Sequence, residues 1–269
     1  MTKKEILDAI HGKMIISCQA VEGEPLYVEE KSIMYLMARA AKQAGTPAIR
    51  TSSIRDVIAI KEETGLPVIG LVKIQYPGYE GYITPTMKEV DDLVAAGSDV
   101  VALDCTLRKR GDGSTVNEFI AQIKEKYPDI ILMADISNYE EGINAWKCGV
   151  DIVGTTMSGY TDYTSKKDEP DYGLMERLAK DTDIPVIGEG KIHYPDQAVK
   201  ALQTGVWAIV VGGAITRPLE IAQRFQKAIE NSKDRKSTRL NSSHPSSWYA
   251  VFCMKKKRGG GGGGGGGGG

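Results

Sequence analysis

Histidine and cysteine are scarce in this chain, three and four residues in 269, and neither shows paired spacing. His11 and His193 have no partner at ligand spacing, so a metal site is not expected. Cys18, Cys105, Cys148 and Cys253 are expected to be free thiols, not a disulfide framework. Apolar runs of bilayer length are absent, which excludes a helical membrane span and a membrane partner. The N-terminal stretch "MTKKEILDAIHGKMIIS" lacks an apolar core with a small-residue cleavage site. No targeting segment is expected, and a cytoplasmic location follows. After the first apolar run, "SCQAVEGEPL" is not a G-x-G-x-x-G fingerprint, which counts against a doubly wound dinucleotide fold. The body of the chain has no basic patch, so nucleic acid is not an expected partner.

The composition changes abruptly after "RFQKAIENSK". "DRKSTRLNSSH" resembles the reading-frame translation of a sequencing-library adapter, and "YAVFC" resembles its far end. The closing glycine run matches a stretch of repeated G. Residues 234–269 are therefore read as a non-native, disordered tail, and a single domain is expected over 1–233. Removing the tail's seven basic residues and one acid leaves 27 basic against 34 acidic, a net charge of −7. An acidic body further disfavours nucleic acid. Trp248, Cys253 and the KKKR run leave the argument with the tail.

Eight short, β-branched-rich apolar runs recur in the first 233 residues. They span 13–19, 48–52, 67–73, 100–104, 130–136, 151–156, 185–191 and 208–214. Nearly continuous hydrophobicity marks strands buried on both faces. Amphipathic segments over 33–45, 86–97, 114–128, 138–149, 171–182, 194–205 and 217–231 show helical spacing. Several end in glycine, and Ser114, Asn138 and Asp171 can serve as N-caps. This alternation predicts an α/β fold, a (β/α)8 TIM barrel.

Active sites of this fold sit at the C-terminal ends of the strands. The polar residues at those ends are Gln19, Arg50, Lys73, Asp104, Asp135, Thr155 with Thr156, Glu189 and the Gly212-Gly213 pair. "VVGGAITRP" sets Gly212 and Gly213 before a helix opening near Arg217-Pro218. "GEGKI" sets Gly190 and Lys191 after strand seven. Glycine-rich turns at helix N-termini suit an anion, and barrels build phosphate sites after strands seven and eight. Lys73 and Glu189 are expected to face the barrel mouth. A lysine in a low-dielectric pocket has a lowered pKa and serves as a base or as a Schiff-base amine. Composition leaves both roles open. Asp104 and Asp135 also suit plain loop-capping or charge-pairing roles, and Cys18 and Cys105 suit the core. The Tyr-rich loops over 76–86 and 158–173 are placed to cover a sugar or simply to face solvent.

The stretches "SCQA", "IRTSS", "GLVK", "GYITPTMKEVDDLVAAG", "VVALD", "MADIS", "EEGINA", "TTMSGYT", "PVIGEGKI" and "VVGGAITRP" resemble the bacterial N-acetylmannosamine-6-phosphate 2-epimerases. These belong to the ribulose-phosphate-binding barrel superfamily. The resemblance runs from about residue 5 to about 231. It implies interconversion of N-acetylmannosamine 6-phosphate and N-acetylglucosamine 6-phosphate, a step in sialic-acid and amino-sugar breakdown. It puts the catalytic lysine and glutamate on Lys73 and Glu189, and substrate contacts on Gln19, Arg50 and Asp135. Thr156 and Arg217 join the expected substrate contacts, and Gly190, Lys191, Gly212 and Gly213 the phosphate contacts. This chain departs from the family's pattern at Ile74-Gln75, Cys105 and Gly111. The implied chemistry is loss and return of the C2 proton, with no cofactor. A substrate-hydroxyl route, a lyase using Lys73 and a non-catalytic phosphosugar-binding protein remain open on residues alone. The last helix is an expected place for a homodimer contact.

Overall fold

A computed structural model describes residues 1–238 except Lys31 and Lys167, with side chains up to Ser232. Tail residues 239–269, Trp248 and Cys253 among them, lie outside the described residues.

Eight parallel strands close into a barrel in sequence order. They are β1 (Met14–Ser17), β2 (Ile49–Ser52), β3 (Val68–Leu71), β4 (Val100–Asp104), β5 (Ile131–Asp135), β6 (Ile152–Gly154), β7 (Val186–Glu189) and β8 (Ala208–Val211). Helices alternate with them: α1 (Lys3–Ile10), α2 (Met34–Gln43), α3 (Ile54–Thr64), α4 (Met87–Ala95), α5 (Val116–Lys126), α6 (Tyr139–Lys147), α7 (Tyr172–Asp181), α8 (Pro195–Gln203) and α9 (Pro218–Thr238). β1 pairs with β8 through Met14 opposite Ile209, which closes the ring. Met1–Arg224 is one compact unit that holds the barrel; Phe225–Gly269 group separately. Among the described residues no helix is long and apolar enough to cross a membrane.

The (β/α)8 expectation is met, with local differences. α1 and α3 were not among the expected helices. α1 has only eight residues, too few for a clear helical period. It buries Ile6 and Ile10 in the core inside the barrel, so it plugs the N-terminal end. Trp207 Nε1 donates to Leu7 O at 2.9 Å, and the Trp207 ring stacks on His11 at 3.9 Å. α3 follows β2 after one residue, Ser53, whose φ is +90°. With no turn cluster between strand and helix, nothing in the sequence separates them. The α5 cap is Thr115, not Ser114: Thr115 Oγ1 accepts from Glu118 N, and Glu118 returns the bond to Thr115 N. α9 runs past the expected end at 231 to Thr238.

Each strand alternates between two cores. On β5, Leu132 and Ala134 pack outward with the helices, while Ile131 and Met133 fill the barrel. This period of two decides which strand-end residues enter the mouth. Counting two past the last inward apolar residue reaches Arg50 from Ala48, Lys73 from Leu71, Asp104 from Ala102, Asp135 from Met133, Glu189 from Ile187 and Gly212 from Val210.

Candidate active site

A cavity of about 370 Å³ opens at the C-terminal ends of the strands. Of the expected residues, Gln19, Arg50, Lys73, Thr156, Glu189, Gly190, Lys191, Gly212, Gly213 and Arg217 line it. Asp135 does not. Its side chain is fully buried, and it serves the site through its neighbours. Asp104 is also absent from the wall. It accepts from Thr106 N at 3.1 Å and pairs with Arg108 Nη2 at 2.6 Å, the loop-holding role.

Among the described residues, Arg50 is the largest fully buried side chain. Burying a guanidinium costs several kcal/mol unless it is paired (about the scale for one ion after relaxation). The pairing is present: Nη2 donates to Asp135 Oδ2 at 2.6 Å, and Nε lies 3.4 Å from Glu189 Oε2. Burial pulls the Arg50 pKa down, but the two carboxylates more than offset this and hold it above the usual arginine value. Thr156 Oγ1 lies 2.7 Å from Asp135 Oδ1 and 3.1 Å from Glu189 Oε2, so one hydroxyl links both acids. The adjacent Thr155 points away from the cavity. Its hydroxyl donates to Glu189 O at 2.8 Å and accepts from Glu189 N at 3.0 Å, which fixes the backbone of β7.

Lys73 stands differently from expectation. β3 stops at Leu71, and Lys73 forms an antiparallel bridge with Ile83. Ile74 N donates to Tyr82 O at 2.9 Å, and Thr84 N donates to Val72 O at 2.7 Å. Thr84, at φ +47°, is anchored by its hydroxyl donating to Ala102 O at 2.7 Å. The doubled-back segment thus holds the lysine backbone over the mouth.

The two central groups are pulled toward each other in acidity. Burial lowers the Lys73 pKa, Arg217 and Arg50 lower it further, and Glu189 and Glu24 oppose. Burial raises the Glu189 pKa; Asp135 adds to this, while Arg50, Thr156 and Lys73 oppose. Lowering the lysine pKa and raising the glutamate pKa bring the acidities of the two groups closer together. Two polar atoms at the wall are buried without hydrogen-bond partners: Gln19 Oε1 and Arg50 Nε. Gln19 Nε2 donates to Ser17 Oγ at 2.7 Å, which leaves the amide oxygen free. Unpaired buried polar atoms are costly, so these two fit a ligand's donor and acceptor.

The glycine turns need their glycines. Gly190 has φ +105°, and a Cβ on Gly212 would sit 3.3 Å from Ser17 Cβ. Lys191 keeps φ +58°, and its ammonium lies 5.1 Å from the Tyr160 ring centre. Neither buried cysteine at a strand end is a nucleophile. Burial, with Asp56 adding, pushes the Cys18 thiol up to about 12, and burial pushes Cys105 well above its ordinary value. Among the described residues no His, Cys, Asp and Glu group is placed to hold a metal ion.

Sequence reasoning missed Ser17, Glu24, Thr216 and Glu220 on the wall. Ser17 was readable, since it closes β1 on the same inward parity as Ile15 and lies two residues before Gln19. Glu24 and Glu220 sit in a loop and a helical turn, where no period marks the side that faces the site.

The fold and this cavity define a (β/α)8 barrel with a charged site at the strand ends, where barrel enzymes carry out their chemistry. Residues 34–231 match the model of the family described as "Putative N-acetylmannosamine-6-phosphate epimerase", and the chain belongs to that family. A relative from Caldanaerobacter subterraneus subsp. tengcongensis, described as an N-acetylmannosamine-6-phosphate 2-epimerase of that same "putative" standing, is 51% identical over 85% of this chain and 96% of its own. A Clostridioides difficile relative with the same description is 50% identical over 84% of this chain and 99% of its own. The solved structure of the N-acetylmannosamine-6-phosphate 2-epimerase from Clostridium perfringens is similar at 48% identity and a TM-score of 0.79, covering 83% of this chain and 96% of that one.

Proposed function

We propose that the chain interconverts N-acetylmannosamine 6-phosphate and N-acetylglucosamine 6-phosphate, a step in sialic-acid and amino-sugar catabolism. The observation that carries this is one cavity holding Lys73 and Glu189 with acidities drawn together. In the open-chain sugar the C1 aldehyde acidifies the C2 hydrogen. One of the two groups takes that proton, leaving an enolate. The other returns a proton to the opposite face, and C2 is inverted. Arg50, whose Nε faces Glu189 Oε2 at 3.4 Å without a hydrogen bond, steadies the developing oxyanion. Gln19 Oε1 accepts from a sugar hydroxyl or the acetamide N–H. When Glu189 carries the proton, it donates to Thr156 Oγ1, whose own proton goes to Asp135. Asp135 is thus a positioning residue for Arg50 and Thr156. The Gly190-Lys191 and Gly212-Gly213 turns and Arg217 take the phosphate.

Lys73→Ala and Glu189→Gln test the assignment, with turnover followed by NMR of the sugar. Each is expected to lose about 10²- to 10⁴-fold in kcat, the range for a proton-transfer group. Near-normal turnover of either variant contradicts its role.

The same reading extends to the setting of the protein. Residues 1–233 form the epimerase domain and 234–269 a non-native tail; the family match, ending at residue 231, supports this. Buried free thiols at Cys18 and Cys105 support a reducing, cytoplasmic location. Exposed Phe225 and Ile229 on α9 support a homodimer contact there. Sedimentation velocity on an Ile229→Glu variant tests that contact: a monomer is expected.

A further inference from the structure

Three charged side chains stand where the Gly212-Gly213 turn meets α9. Arg217 Nη2 is 2.9 Å from Glu24 Oε1, and Arg217 Nη1 is 3.3 Å from Glu220 Oε1. Glu24 comes from the loop after β1 and Glu220 from the first turn of α9. All three line the main cavity. All three also line a second cavity of about 80 Å³, whose other walls include Pro25, Leu26 and Leu219. The ion triad therefore borders two voids, together with Gln19 and Thr216. Glu220 also covers the turn itself: a Cβ on Gly213 would collide with its carboxylate.

The triad puts two negative charges where the proposed function puts a phosphate. The three side chains keep 31%, 26% and 39% of their exposure for Arg217, Glu24 and Glu220. Ion pairs this wet are weak and exchangeable. A phosphate dianion has more charge and more acceptor oxygens than one carboxylate, and it can take a guanidinium bidentately. It is the stronger partner for Arg217.

We propose that Glu24 and Glu220 are displaceable counter-ions: they hold Arg217 in the free protein and yield it to the phosphate of the substrate. This rests on the proposed function. The consequence is selectivity. A ligand must carry a strong anion, correctly placed by its sugar, before the carboxylates release the arginine. Free phosphate, lacking the sugar's contacts, is held off by the same two charges. The empty space behind the triad lets the side chains move without displacing packed atoms.

The opposite role is scaffolding, in which the carboxylates hold Arg217 in its phosphate-binding pose. The sign of one measurement separates the two. Inorganic phosphate is titrated against the full chain and against Glu24→Gln and Glu220→Gln, with thermal shift as the readout. Each variant is expected to bind phosphate about 2- to 5-fold tighter than the parent, the scale of a wet ion pair. Arg217→Ala is expected to lose most of the phosphate-dependent shift. Equal or weaker phosphate binding by both glutamine variants overturns the proposal, as does an undiminished shift in Arg217→Ala. The readout needs no turnover. Failure of the epimerase reading would show instead as absent conversion of the phosphosugar by the parent chain.

Discussion

Arg50 Nη2 lies 2.6 Å from Asp135 Oδ2, and both side chains are buried, Arg50 at the cavity wall and Asp135 behind it. Arg50 passes this constraint to Glu189, 3.4 Å away. Removing Asp135 leaves a buried cation with one distant partner. Asp135→Ala is expected to lower unfolding stability by about 3–5 kcal/mol, the cost of orphaning one member of a buried pair. Urea unfolding reads this. A loss below about 1 kcal/mol would mean the pair is solvated after all.

Gly154 gives a second stability test. It is the inward position of β6 beneath the site. A Cβ there would collide with Met133 Cε and come within 3.3 Å of Asp135 Oδ1 and 3.2 Å of Thr156 Oγ1. Met133 Sδ in turn lies 3.3 Å from Arg50 Nη1. Gly154→Ala is expected to cost about 1–3 kcal/mol through overpacking and to reduce kcat, because the same shift moves Thr156. An unchanged melting temperature and kcat would contradict the packing described.

The acidity of Lys73 follows from its neighbours. Its pKa lies below the ordinary 10.5, with burial the leading cause. NMR titration of ¹³Cε-labelled lysine should show one lysine titrating early. Glu189 raises the Lys73 pKa, so Glu189→Gln is expected to move that titration to still lower pH. A move to higher pH would contradict the assigned proximity.

Lys73 should also cost stability. A lysine whose folded pKa is lowered disfavours the charged folded state at neutral pH, and the penalty fades as pH rises through the folded value toward 10.5. Lys73→Met is therefore expected to lose turnover to the same extent as Lys73→Ala yet raise the melting temperature by about 2–4 °C, the shift of roughly 1 kcal/mol in a domain this size. A lower melting temperature would show that Lys73 supports the fold.

Much of the fold was legible because buried parallel strands repeat at a regular spacing, and the period of two then fixes which strand-end residues turn inward. Arg50, Lys73 and Glu189 were found as polar residues at the C-terminal ends of the apolar runs. Asp135 was found too, but its burial was not, because strand parity gives direction and not depth. Lys73 was placed on β3, although the strand ends at Leu71 and a later segment, through Ile83, fixes it. That pairing is non-local and leaves no mark in the local pattern. α1 was missed because its role, plugging the barrel floor, is tertiary. Glu24 was missed because loop side chains follow no period, and Glu220 because the single first turn of α9 is too short to mark the side that faces the site. Composition left the base and Schiff-base roles of Lys73 open, because a buried lysine suits both.

The central claim is proton exchange at C2 by Lys73 and Glu189. The direct measurement is conversion of N-acetylmannosamine 6-phosphate by the full chain in D₂O, followed by NMR at C2. The account predicts N-acetylglucosamine 6-phosphate carrying one deuteron at C2. It also predicts that Lys73→Ala and Glu189→Gln each exchange the C2 proton of one epimer, a different one for each variant, without inverting it. Conversion that leaves protium at C2 would contradict the account.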